Sequence, residues 1–134
     1  MKKCISLMFS LLLISCLMAC GGNTSHVNII NVPSDIYSED DIKMAIATIT
    51  KEFRKDWSGC TLTEIAYGGD ERNKDYMDWA TRNSADEVIV LISSFDVGFS
   101  GGDGSLNTNS TYDDWLWILV RNSGGQWKHV DHGY

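Results

Sequence analysis

Glu87-Val88-Ile89-Val90-Leu91-Ile92 places five apolar side chains in a row behind a single acid. Successive strand residues point to opposite faces, so such a run reads as a strand covered on both faces. It extends toward Phe95. Tyr112–Arg121 reads as a second strand of this kind. Trp115, Trp117 and Leu119 fall on one face, and Leu116, Ile118 and Val120 on the other. Any fold of the chain is organised around these two strands.

The N-terminus has a different character. Met1-Lys2-Lys3 supplies two bases, and Ile5–Leu17 is apolar apart from serines and a cysteine. A charged start and a short apolar run describe a secretory leader, too short for a comfortable permanent span. Leu17-Met18-Ala19-Cys20 resembles a bacterial lipobox. That resemblance implies cleavage after Ala19 and a diacylglycerol on the Cys20 thiol. Met18 is bulkier than is usual there. The expected organisation is a lipoprotein signal peptide over 1–19, a lipidated Cys and tether over 20–37, and one α+β domain over 38–134. Gly21-Gly22-Asn23-Thr24-Ser25 suits a flexible tether. Within it, His26–Val32 is apolar enough for an added edge strand, which Pro33 would end.

The order expected for the domain is helix, strand, helix, strand, strand, strand. Ser38 can cap the first helix, with Glu39, Asp40 and Asp41 in its first turn, where the helix dipole favours acids. Asp41 stands at the capping-box position, and Tyr37 and Ile42 are spaced as a hydrophobic staple. Ile42, Ala45, Ile46, Ile49 and Phe53 form one apolar face, and Gly59 stops the helix. Cys60–Tyr67 is rich in β formers. Asp70–Arg82 reads as one polar helix. Asn122-Ser123-Gly124-Gly125 signals a turn, and a two-residue Ser123-Gly124 loop would pair Val120 with Trp127 and Ile118 with His129. The predicted fold is α+β: a roughly four-stranded, mostly antiparallel sheet with two helices packed on one side.

Eighteen acids oppose 11 bases, for a charge of −7. Loss of Lys2 and Lys3 with the leader leaves nine bases and a charge of −9. This balance argues against nucleic acid and against nonspecific attraction to an anionic membrane face. Of the four cysteines, Cys4 and Cys16 leave with the leader and Cys20 takes the lipid. Cys60 then has no thiol to pair with, and it reads as a small core residue.

The glycine-rich stretch 98–111 joins two strands that a tight turn could have joined, and loops of that length are often functional. Asp103, Ser105, Asn107 and Asn109, with Asp114 eleven residues after Asp103, have the spacing of an oxygen-ligand calcium loop. Thr108 stands where that loop needs Gly, and Asp114 where it needs Glu. The plainer reading is a polar connection whose Asn and Ser side chains bond their own backbone. No metal and no cofactor is expected. The candidate ligand-binding residues are Asp103, Ser105, Asn107, Asn109, Tyr112, Asp114 and Trp115. On a regular strand His129 and Asp131 share a face, a general-base arrangement, while His129 and His132 point apart and cannot share a metal.

Gly59–Ile65, Ala85–Leu91, Ser93–Val97, Gly101–Asn107, Trp117–Arg121 and the ending Gly133-Tyr134 are similar to a family of small lipoproteins from gut-dwelling Gram-positive bacteria. The likeness spans about 38–134. That family is a domain of unknown function, so the resemblance implies no activity and carries over no catalytic residue. The expected function is a binding or accessory module held on the extracytoplasmic face of the cell membrane by the lipid on Cys20. The alternative is a cell-envelope hydrolase using His129 with Asp131 or Asp114.

Overall fold

The computed structural model describes residues 21–99 and 104–134. The leader, Cys20 and Asp103 lie outside the described residues. The elements are β1 (Asn28–Ile30), α1 (Glu39–Asp56), β2 (Cys60–Tyr67), α2 (Asp70–Lys74), α3 (Asp78–Arg82), β3 (Glu87–Val97), β4 (Ser110–Arg121) and β5 (Lys128–Gly133). They form an α+β fold. Its sheet has the order β1-β2-β3-β4-β5, with β1 parallel to β2 and all other pairs antiparallel. Among the described residues, no helix is long and apolar enough to cross a membrane.

α1 forms as its sequence dictates. Ser38 Oγ accepts from the Asp41 amide at 3.1 Å, and the Asp41 carboxylate accepts from the Ser38 amide at 3.3 Å. These two bonds satisfy donors that a helix start leaves open. Ala45, Ile46, Ile49 and Phe53 are buried against Leu62, Ile65, Ile89, Leu91, Trp117 and Leu119. A smaller cluster of Ala80, Val88, Ile118 and Val120 packs on the other face, with Tyr76 and Trp79. The helices therefore lie on both faces of the sheet, not on one side. β3 and β4 are apolar on both faces, and one helix layer could cover only half of that surface.

Three further expectations are corrected. Residues 70–82 form two short helices rather than one. Asn73 is buried between strands: its Nδ2 donates to the Val88 carbonyl and its Oδ1 accepts from the Val90 amide, both at 2.9 Å. Those groups lie beyond the end of β2, whose neighbour Gly68 makes the last bond to Val90. An amide side chain thus continues the ladder where the strand stops. Tyr37 Oη also donates to the Val88 carbonyl, at 2.6 Å, and burial pushes its phenol up to about 12.

The N-terminal segment is the second correction. The Gly22 amide donates to the Phe53 carbonyl, the Asn23 amide to that of Cys60, and the Leu62 amide to that of Asn23. Asn28–Ile30 then pairs with Glu64–Ala66 as a parallel edge strand. Residues 21–30 are therefore docked along α1 and β2 and are no free tether. A Cβ at Gly21 would overlap the Arg54 carbonyl, and one at Gly22 would fall 2.6 Å from Phe53 Cδ1. Only glycine allows that approach.

The third correction is register. β-bulges interrupt β2 between Leu62 and Glu64, β4 opposite Ser93–Phe95, and β5 between His129 and Asp131. In the last hairpin, Val120 pairs with Lys128 and Leu119 with His129, so the two-residue turn is not formed. Each bulge inserts one residue and reverses the alternation beyond it.

Candidate functional site

The bulges gather aromatic side chains at one end of the α1 face. The β4 bulge holds Asp114 in the left-handed region, at φ 55°. It brings Tyr112 back to the side of Trp115 and leaves Asp114 exposed. Tyr112 stacks on Phe95 with centroids 5.2 Å apart, and Trp115 meets Phe95, Tyr112 and Tyr134 edge-on at 5.2 to 5.6 Å. Trp57, the C-cap of α1, lies parallel to Phe53 and edge-on to Trp115 and Trp117.

A cavity of about 430 Å³ opens beside this cluster. Asp56, Trp57 and Ser58 close it from the end of α1, Cys60 from β2, Ser105 and Leu106 from the long loop, Trp115 from β4 and His132 from β5. Cys60 is buried in the core, as its size predicts. Trp115 is 9% exposed, and its indole Nε1 is the buried side-chain donor left without a partner among the described residues. Leaving such a donor unpaired costs about 1–3 kcal/mol.

Comparison with protein-family models, with curated proteins and with solved structures finds no match.

The site is thus read from its own chemistry. The β5 bulge places His129 opposite Leu119 and His132 opposite Trp117, so both rings lie on the α1 side. This corrects the expectation that they point apart. Their rings stack at 5.2 Å, with His132 Nδ1 3.2 Å from His129 Nε2. His129 Nδ1 meets the Glu52 carboxylate at 2.8 Å, and its Nε2 lies 3.0 Å from the Asp131 carbonyl. The Asp131 side chain falls on the opposite face, level with Ile118, so the expected His129–Asp131 carboxylate pair is not formed. Glu52 takes that place. The apolar walls around His132 hold its imidazole below the usual value, with His129 adding to the effect and Asp131 and Glu52 opposing it. Among the described residues, no group of three or more His, Cys, Asp or Glu is placed to hold a metal ion.

Of the residues expected from sequence, Ser105 and Trp115 meet at the cavity. Tyr112 supports Trp115 from behind, and its hydroxyl accepts from the Asn107 amide at 3.0 Å. Asn107 and Asn109 are exposed loop residues. The Asn109 amide bonds the Gly98 carbonyl, and Ser110 Oγ donates to that of Thr108. The described part of the loop therefore bonds its own backbone. Asp114 does not line the cavity. Trp57, His132 and Glu52 were not among the expected site residues. Glu52 and His129 are 77 residues apart, so no local pattern links them.

Proposed function

We propose that the chain is a lipid-anchored, extracytoplasmic binding module whose ligand enters the cavity between Trp57, Trp115 and His132. The observation that carries this reading is the cavity itself: aromatic walls, a polar rim of Ser58, Ser105 and Asp56, and a buried indole N–H with no acceptor among the described residues. Such a lining suits a small ligand with one apolar face and hydrogen-bonding oxygens, as on a sugar or a short peptide. The lipobox-like Leu17–Cys20, the charged leader and the family resemblance support the anchor.

Two experiments test the reading. Palmitate labelling of the full chain should vanish in Cys20→Ala, and persisting label overturns the anchor. A thermal-shift screen against sugars, peptides and cell-wall fragments should yield a ligand that adds about 2.7 kcal/mol at 100 times Kd. Trp115→Phe removes the donor together with one ring of the indole, so it also costs packing in the apo protein, read by its Tm. It should weaken that ligand about tenfold or more. Unchanged affinity sinks the role of the N–H.

The Glu52–His129–His132 chain supports a second reading, a cell-envelope hydrolase. Glu52 would orient His129, and His132 would present a neutral imidazole at the cavity as general base. Loss of hydrolysis of cell-wall fragments in His132→Gln, with the fold intact, would favour it over simple binding.

A further inference from the structure

A second groove, of about 300 Å³, runs between β1 and α1. Its floor is Ile46 with Ile29, Ala47 and Thr50, and Lys43 and Arg54 stand at its rim. Ile29 in the groove and Met44 on the exposed side of α1 leave about half of their surface exposed. Lys51 and Lys55 continue the cations along the exposed side of α1. These four are among the nine bases of residues 20–134. The exposed acids of α1, Glu39, Asp40 and Asp56, sit at its two ends, Glu39 one turn before Lys43.

The docked N-terminus gives this face a direction. Gly21 packs on the carbonyl of Arg54, whose side chain lines the groove. Cys20 is one peptide unit away, about 3.8 Å along the chain. With Gly22 and Asn23 bonded to the core, no slack separates the attachment point from α1. The net charge of the chain opposes approach to an anionic surface, so contact favours a face where bases outnumber acids, as Lys43, Lys51, Arg54 and Lys55 do along the middle of α1.

We propose that the groove and the basic side of α1 form a membrane-contact surface that seats on anionic phospholipid headgroups. The inference rests on the lipid-anchor reading. In it the domain lies flush on the bilayer, Ile29 and Met44 reach the headgroup boundary, and the cavity at the end of α1 opens close to the membrane plane.

The test uses the full chain, processed by cells, carrying Ala47→Cys at the groove or Thr81→Cys on α3, which packs on the opposite face of the sheet. The purified protein is placed in vesicles of phosphatidylcholine with or without phosphatidylglycerol. An impermeant maleimide reads thiol reactivity. The expected result is slow labelling at position 47 only with phosphatidylglycerol, and fast labelling at position 81 in both. Lys43→Gln with Arg54→Gln should weaken the contact about 30-fold, from roughly 1 kcal/mol per cation near an anionic surface, and restore labelling. Palmitate on the same preparation reports the anchor by itself. Palmitate present with position 47 as reactive as position 81 overturns the surface and leaves the anchor standing. Palmitate absent with position 47 protected by phosphatidylglycerol overturns the anchor and supports the surface. Equal protection in pure phosphatidylcholine means self-association or apolar contact, and overturns headgroup docking.

Discussion

Replacing Arg121 with methionine removes the charge that ties α1 to the sheet. The guanidinium is 6% exposed. Its Nη1 donates to Asp41 at 2.9 Å and its Nε to Glu87 at 2.7 Å. The Trp127 ring lies 4.1 Å beneath it, and the Trp127 indole donates to the Asp41 carbonyl. Methionine keeps the apolar stem and leaves two carboxylates facing each other without a cation. Removing one member of a buried ion pair costs about 3–5 kcal/mol. Asp41 and Glu87 are 26% and 28% exposed, so water relieves part of that. We expect a loss of about 3 kcal/mol, or roughly 10 °C in Tm for a domain of this size. Urea titration should show a lower midpoint with an unchanged slope, which separates lost stability from altered compactness. In an Asp41→Asn, Glu87→Gln background the same substitution should cost less than half as much. A loss under about 1 kcal/mol, or the same loss in both backgrounds, refutes the argument. Arg121 and the capping hydrogen bonds also hold the Asp41 carboxyl below its ordinary 3.8. Its contribution is therefore present above that value and is lost as pH falls through the folded value.

Three other outcomes follow from the same geometry. The lowered imidazole of His132 means that the unfolded chain takes up that proton first, so Tm should fall as pH drops below about 6.5, and His132→Gln should flatten this step. An unchanged step in the variant assigns it elsewhere. Asn73→Ala leaves the Val90 amide unpaired and should cost about 1–3 kcal/mol by urea titration, whereas an exposed-loop control such as Asn107→Ala should cost under about 0.5 kcal/mol. Gly22→Ala must push the Phe53 ring or the N-terminal segment aside. Hydrogen exchange at the Asn23 and Leu62 amides should quicken, and unaltered exchange would show that the docking tolerates a side chain.

The residues themselves determine the local elements. Ser38, Asp41 and the apolar spacing through Phe53 specify α1, because capping and helical periodicity involve neighbours within one or two turns. The same holds for β3 and β4. Their unbroken apolar runs mark strands covered on both faces, which demands a helix layer on each.

Tertiary structure decides where alternation breaks and which distant groups meet. One inserted residue between His129 and Asp131 puts two histidines on one face and gives Glu52 the place expected for Asp131. Nothing in the spacing of residues 127–134 marks that bulge, since it is set by pairing with β4. Gly21-Gly22 has the composition of a linker, and becomes a docking segment only because Phe53 and Arg54 present carbonyls against which a side chain would collide. The cavity belongs to the same class. Its walls come from a helix end, a loop and three strands, and a volume enclosed by parts so far apart in the chain exists only once the sheet has set their distances.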